Sequence, residues 1–562
     1  MQIVSVAINN FRGIKTFEQS FYGKKLVCLI GRGDSCKSTI LEAISLALSS
    51  NWNIPFNDND FYGGNTSLPI VIDVSILIPN NFLSEDKYGM YLRCWDKEHN
   101  KISDELKDEW ERIITIRLEV SDDLEPHWYV YKESQEEQKK DINNKDRAKL
   151  NCFIISDYIE KHFTWGNGTP LYSISKGDMD LSEYNTQFIK PIRDAVERIN
   201  ESDFSNLNKC FSESINSPLI STVDTKTKLE ARDIHFSISK LSLHDVDGIP
   251  YRLKGKGSKR LLSTSIQLAT TKDGSITLID EIEQGLEPDR AKKLVNLIKD
   301  TATNNSSQVF ITTHSNNVTT ELGANNIYVI RRSNEGLVEA NEISNDLTDV
   351  VRACSEALFA KKIIVCEGKT EVGICRALDS YLKTKNLPLM AYQGCVAIDG
   401  TGSNFAKYSK KLAKLGFEIL TFCDSDVSYT PSKDELVETG IIVCDCENNN
   451  CIEQQVMKDL PYNAIIEIVK YIIEERYNSE ENSFLMSARA KCPTFSDDWK
   501  SYDNNIIRET IAEVSRIENK EWFKRIDRGE ILGNIIFKYY DELSEESCLK
   551  KQLSKIITWI EG

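Results

Sequence analysis

A chain of 562 residues exceeds what one hydrophobic core serves, so two to four folding units are expected. A hydrophobic share of 40% and a charged share of 28% exclude collagenous and disordered classes, and a net charge of −17 excludes a protein that coats nucleic acid by bulk electrostatics. No apolar run approaches the roughly 20 residues of a membrane span, and the opening MQIVSVAINNFRGIK lacks a basic segment followed by an apolar one, so a cytoplasmic protein with no membrane association is expected.

The first segment reads as strand, turn, strand, loop and helix: QIVSVAINNF, KKLVCLIG, a glycine-containing loop, then STILEAISLALSS. In the last run Ile40, Leu41, Ile44, Ala47 and Leu48 recur at helical spacing and make one buried face. The loop Gly31-Arg32-Gly33-Asp34-Ser35-Cys36-Lys37-Ser38, followed by Thr39, has the outline of a Walker A motif. Backbone N–H groups around Gly31 and Gly33 surround phosphates, Lys37 neutralises their outer oxygens, and the Ser38 hydroxyl ligates Mg²⁺. Cys36 departs from the motif, which has glycine there. A Cβ at that point crowds a backbone chosen for close approach or unusual dihedrals, so nucleotide binding is expected to survive better than fast turnover.

From about Pro79 to about Lys240 strand-like pieces (RIITIRLEV, HWYVYK) alternate with a charged stretch (ESQEEQKKDINNKDRAK) and a helical one (QFIKPIRDAVERIN). This reads as an insertion over 81–240 between two halves of one module, 1–80 and 241–350. No heptad pattern persists in it, which excludes a long coiled coil.

The second half opens on Leu253-Lys254-Gly255-Lys256-Gly257-Ser258-Lys259-Arg260-Leu261, the outline of a degenerate ABC signature in which Ser258 contacts nucleotide on a partner. Ile276-Thr277-Leu278-Ile279-Asp280-Glu281 is an apolar strand ending in paired acids. In a Walker B strand the aspartate supports Mg²⁺ and the glutamate polarises the attacking water, roles that fit Asp280 and Glu281. Gln284-Gly285-Leu286-Glu287-Pro288 resembles the D-loop that follows, and His314 ends the strand VFITTHS, where such ATPases place a histidine near the terminal phosphate. The cofactor implied is ATP, sandwiched between two heads of a homodimer or higher oligomer.

Beyond 355, strands (KKIIVCEG, EILTFCDSD, GIIVCDC) alternate with helices (TEVGICRALDSYLKT, NFAKYSKKLAKLG), which argues a second α/β unit over 355–460, and 461–562 reads as a helical extension. Lys362-Ile363-Ile364-Val365-Cys366-Glu367 and Ile419-Leu420-Thr421-Phe422-Cys423-Asp424-Ser425-Asp426 are apolar strands that end in acids. Parallel strands collect such acids at one carboxyl edge. Close carboxylates repel one another unless cations neutralise them, and oxygen-only clusters select Mg²⁺ or Mn²⁺. An EGxxE strand end (Glu367, Glu371) followed by a DxD strand end (Asp424, Asp426) resembles the Toprim pattern. Glu367, Asp424 and Asp426 are expected to hold one metal, with Glu371 and Glu453 as candidates for a second.

The 15 cysteines are scattered, several within apolar strands, as reduced buried thiols are. Cys444, Cys446 and Cys451 lack the second pair or the histidine that a zinc site needs. The lysine-rich runs KKLVNLIK, FAKKIIV and KYSKKLAKLG are candidates for a local basic groove, each also readable as a solvated face.

In motif order along nearly its whole length, with Asn10-Phe11-Arg12-Gly13-Ile14 as the opening turn, the chain resembles the OLD family of endonucleases. The resemblance implies an α/β protein: an ABC/SMC-like ATPase head interrupted by a dimerisation insertion, then a Toprim domain with a helical C-terminal segment. It implies a metal-dependent DNA endonuclease governed by ATP, often in anti-phage systems such as Gabija or as a retron effector. A second defence protein, helicase-like or a reverse transcriptase with its nucleic acid, is then a partner. The family also carries a late lysine that stabilises developing phosphate charge, for which Lys524 is the candidate and Lys491 the next. A nucleotide-gated DNA-binding or sensor subunit and an RNA-directed nuclease stay open as alternatives.

Overall fold

The computed structural model describes residues 1–78, 85–155 and 160–164 (apart from 108, 136 and 151), scattered positions between 171 and 209, and residues 242–270, 275–304 and 307–562 apart from 478. Its fold class is α/β, as the alternation of strands and helices implies. Strand β3 (Leu26–Ile30) is the axis of the N-terminal module. All five of its residues are buried; Leu26, Cys28 and Ile30 enter one core while Val27 and Leu29 enter another, as alternation on a strand covered on both faces requires.

The other strands of this module are β1 (Gln2–Phe11), β2 (Ile14–Ser20), β4 (Ile70–Leu77), β5 (Arg93–Asp96), β6 (Lys101–Ser103), β7 (Glu111–Val120), β8 (Pro126–Tyr131), β9 (Lys140–Asp141), β10 (Cys152–Ile155), β11 (Ile276–Ile279), β12 (Gln308–Thr312), β13 (Ile327–Arg332) and β14 (Leu337–Glu342). They form one sheet in the order β10-β11-β12-β3-β13-β14-β2-β1-β4-β7-β5-β6, with β8 beside β7 and β9 beside β8. From β10 to β13 every pairing is parallel, so β3, β11 and β12 release their chains at the same edge. Beyond β1 the sheet is antiparallel, and strands from 93–141 extend it. Of the helix expected over QFIKPIRDAVERIN, and of the span 81–240 read as dimerising, only part lies within the described residues.

A second sheet is wholly parallel: β15 (Lys362–Cys366), β16 (Cys395–Asp399), β17 (Glu418–Cys423) and β18 (Ile442–Asp445), in the order β16-β15-β17-β18. Ile364, Cys366, Leu420 and Phe422 face a core built with the helices Lys369–Thr384, Tyr462–Arg476 and Ile526–Lys538. Ile363, Val365 and Ile419 face the opposite way, into the core that also holds Leu26, Cys28 and Ile30 of β3. One apolar cluster therefore runs from the N-terminal module into the second sheet and fixes the two against each other. Among the described residues no helix is long and apolar enough to cross a membrane.

Candidate nucleotide pocket and carboxylate centre

The loop after β3 turns into the helix Lys37–Ala47, whose buried face is Ile40, Leu41, Ile44 and Ala47. Two left-handed residues shape it: Asp34 at φ 61° and Cys36 at φ 70°. Cys36 thus adopts a conformation natural to glycine, at roughly 1–2 kcal/mol for an L-residue. Cys36→Gly is expected to stabilise the N-terminal module by about 1 kcal/mol, read as a rise in its denaturation midpoint; an unchanged or lowered midpoint would contradict the strain. Lys37 folds back on its own loop, its Nζ donating to the carbonyls of Gly31 (3.0 Å) and Arg32 (2.7 Å) and to Ser35 Oγ (3.2 Å). Burial pulls this ammonium down to about 8, against the opposing pull of Asp280 and Glu281.

The neighbouring strand ends converge on the same place. Ser38 Oγ donates to Asp280 Oδ1 at 2.8 Å, and Thr312 Oγ1 donates to the same oxygen at 2.6 Å. The Glu281 N–H in turn donates to Thr312 Oγ1 at 2.8 Å. Glu283 accepts from Thr313 Oγ1 and from the His314 N–H, both at 2.6 Å, and so fixes the turn that presents the exposed imidazole. Partial desolvation by its neighbours and the charge of Lys37 hold that imidazole below its ordinary value. Thr39 is half-buried in the first helical turn. Ser258 is exposed in the first turn of the helix Lys256–Thr270, and a Cβ on its neighbour Gly257 would lie 2.3 Å from the Gly285 carbonyl oxygen, so the signature-like and D-loop-like turns touch. Thr312, Thr313 and Glu283 were not singled out from the sequence; the polar residues closing VFITTHS were the available signal.

In the second sheet β15 and β17 are in register, Cys366 opposite Phe422, so Glu367 and Asp424 leave adjacent strands at the same level. The Asp424 N–H donates to Glu367 Oε2 at 2.9 Å, and Asp424 Oδ1 accepts from the Ile452 N–H at 2.7 Å. Glu371 caps its own helix, accepting from the Gly368 N–H at 2.9 Å, and is buried. Glu453 is buried on the helix Ile452–Asp459. Lys524 is exposed just before the helix Ile526–Lys538. That helix lies against Lys369–Thr384 at very short range, since a Cβ on Gly373 would meet the Glu530 backbone at 2.5 Å. Thr370 Oγ1 also donates to the Phe523 carbonyl at 3.1 Å, tying the Lys524 turn to the helix that bears Glu371. Lys491 ends the helix Glu481–Lys491, exposed. Arg516, which no sequence signal marked, donates from Nη2 to Asp426 Oδ2 at 3.0 Å.

A family model described as "AAA domain, putative AbiEii toxin, Type IV TA system" matches residues 26–320, over half of the chain. The chain belongs to that ATPase family. A second model, "Overcoming lysogenization defect protein-like, TOPRIM domain", matches residues 358–426, which makes the chain an OLD-type ATPase–Toprim protein. Old nuclease of Escherichia phage P2 is 27% identical over 198 residues, 32% of this chain and 32% of that protein, so the match spans about a third of the curated relative. Among solved structures, the Smc head domain with an extended coiled coil from Pyrococcus furiosus is 14% identical, covering 61% of this chain and 96% of that one at a TM-score of 0.35. The SMC head domain from Thermotoga maritima is 13% identical, covering 61% and 100%, at a TM-score of 0.29.

The ATPase family implies nucleotide binding and Toprim implies a divalent cation, and the donor chemistry fits both. Burial, then Asp424 and Glu453, push the Glu371 carboxyl up to about 8; burial, then Glu453 and Glu367, push Asp424 up to about 7. Burial also raises Glu367. Partial desolvation opposes the charge of Lys524, but Glu453, Glu371 and Asp424 outweigh it and hold the ammonium above its ordinary range. An oxygen-only set this crowded with charge is what a hard cation neutralises. Among the described residues the one trio with ligand atoms within 4.8 Å of one another is Asp96, Glu98 and His99, in which buried Asp96 already accepts from the N–H groups of exposed Glu98 and His99 and from the His99 ring.

Raised carboxyl pKa values make the metal-free fold bind more protons than the unfolded chain, from the ordinary carboxylate range up to about 8. Stability contributed by these groups is therefore full below the ordinary carboxylate range and lost progressively as pH rises from there to about 8. Melting of the chain in chelator is expected to show a lower midpoint at pH 8.5 than at pH 5.5, with Glu371→Gln flattening the slope and Mn²⁺ opposing it. An identical slope in Glu371→Gln would refute this origin.

Among the described residues no cysteine is in a disulfide, and Cys444, Cys446 and Cys451 are buried. Of the lysine-rich run KYSKKLAKLG, Lys410 pairs with Glu435 and Lys411 with Asp346.

Proposed function

We propose that the chain is a metal-dependent DNA endonuclease whose access or assembly is governed by ATP, acting as an effector of anti-phage defence. The observation that carries the reading is the pair of adjacent parallel strands ending in Glu367 and Asp424, with Glu371 and Glu453 buried beside them and Lys524 within their field. Glu367, Asp424 and Asp426 are the ligands proposed for one Mg²⁺ or Mn²⁺ and Glu371 with Glu453 for a second. Such cations, when bound, activate a water and neutralise the leaving oxygen of a phosphodiester. The chain's own residues hold this arrangement: the Ile452 N–H orients Asp424, the Gly368 N–H orients Glu371, and Lys524 supplies a fixed positive charge for a phosphate oxygen.

Gly31, Gly33, Lys37, Ser38, Thr39, Asp280, Glu281 and His314 form the proposed ATP pocket, and Ser258 reaches a partner's nucleotide in a homodimer or higher oligomer. The domain division proposed is 1–80 and 241–350 for the ATPase, 81–240 for the dimerising insertion, 355–460 for Toprim and 461–562 for its helical extension. Plasmid incubated with Mg²⁺ or Mn²⁺ is expected to be nicked or cut by the chain and spared by Asp424→Ala with Asp426→Ala. Cleavage retained in the double variant, or no cleavage of any DNA by the parent chain, would overturn the reading. A parallel RNA substrate decides the sugar preference.

A further inference from the structure

Behind the Walker A loop, between it and the second sheet, lies a cavity of about 690 Å³. It is lined by residues of the loop (Arg32, Gly33, Asp34, Ser35), by the end of β13, by β14, and by the starts of β15 and β17. Of the residues assigned to the nucleotide pocket above, Gly33 lines it while Lys37, Ser38, Thr39, Asp280, Glu281 and His314 do not, so the two sites share the loop but not their charged groups.

The charge of this cavity is unusual for a chain of net −17. Arg32, Arg331, Arg332 and Lys361 face Glu339 and Glu418. Among the described residues the one ion pair within this set is Lys361 with Glu418, at 3.8 Å. The three guanidinium groups find mostly neutral neighbours. Arg332 Nε donates to the Gly13 carbonyl at 2.7 Å. Arg32 lies against Gly394, where an added Cβ would stand 2.6 Å from its Nη1. Arg331 stacks on Phe417, 3.9 Å from guanidinium carbon to ring centre, and donates Nη1 to the Ala360 carbonyl at 3.3 Å, while its Nε and Nη2 are buried without a hydrogen-bond partner. Unmatched guanidinium donors in a partly desolvated place are costly, and an anion removes the cost. Guanidinium forks match the oxygens of a phosphate, and the volume is that of a small-molecule site, far too small for a duplex.

We propose that this cavity is a second anion site, taking a phosphate-bearing small molecule of up to mononucleotide size. Its occupant touches the Walker A loop through Arg32 and the start of β15 through Lys361. The latter matters because the Gly394 carbonyl accepts from the Lys361 and Lys362 N–H groups at 2.7 and 3.1 Å and so anchors the strand that ends in Glu367. The site does not depend on the nuclease reading.

The test is calorimetric titration of the full chain carrying Lys37→Ala, which disables the Walker A lysine, with AMP and separately with inorganic phosphate. One equivalent of either is expected to bind. Adding Arg331→Gln and Arg332→Gln is expected to weaken it at least about tenfold, and Lys361→Gln, at an exposed rim position that leaves the fold intact, to weaken it measurably. Tighter binding of AMP than of phosphate assigns the site to a nucleotide, and equal binding assigns it to phosphate itself. No binding of either probe, or binding indifferent to all three substitutions, would overturn the proposal.

Discussion

Asp424→Asn is expected to lower plasmid cleavage by at least about 10³-fold in Mg²⁺ or Mn²⁺ while leaving the chain folded. Asparagine keeps an oxygen to accept from the Ile452 N–H, now at 2.7 Å, and its own backbone N–H still reaches Glu367. What it removes is one negative charge from a site where Asp424, Glu453, Glu367 and Glu371 repel one another. The metal-free variant is therefore expected to melt no lower than the parent, and to gain less from added Mn²⁺. Loss of activity with a raised midpoint separates a broken centre from a broken fold. Cleavage within tenfold of the parent would remove Asp424 from the chemistry.

The reason Asp424 was legible in the sequence is local. IIVC before Glu367 and ILTFC before Asp424 are apolar runs too short for helices, each closed by an acid, and strands of one parallel sheet bring such closings to one edge. The α/β class followed from the same runs and the helices between them. Arg516 carried no such mark. It follows the helix Asn505–Ser515 as one cation among several, and reaches Asp426 across 90 residues only because the C-terminal helices pack on the face of the second sheet. Thr312 and Glu283 are similar cases: their hydrogen bonds to Asp280 and His314 cross between strand ends, and no spacing along the chain encodes them. The strands in RIITIRLEV and HWYVYK were visible as pieces. The place of the first beside β4, in the sheet that also holds the Walker A strand, was not, because antiparallel pairing across some 40 residues leaves no periodic trace. The cavity behind Arg32 is less legible still, since its cations come from three separate segments.

Lys37 offers the second large effect, and its sign depends on pH. In the nucleotide-free chain the ammonium is spent on the carbonyls of Gly31 and Arg32 and on Ser35, and burial brings it down to about 8. ATP must draw it off those acceptors and onto phosphate oxygens, where the charged form is strongly favoured. Charge-assisted bonds of this kind contribute about 1.5–3 kcal/mol, so Lys37→Ala is expected to weaken ATP binding roughly 10- to 150-fold at pH 7. Above pH 8 the free chain loses the proton while the bound chain keeps it, so the parent's affinity should fall by up to about tenfold per pH unit between 8 and 9.5. Lys37→Ala has no such proton to lose, and its weaker affinity should stay flat over the same range. Titration of fluorescent ATP into both chains at pH 7, 8 and 9 resolves the two curves. Parallel curves would show that the lysine does not carry its charge onto the nucleotide, and equal affinities at pH 7 would remove it from the pocket altogether.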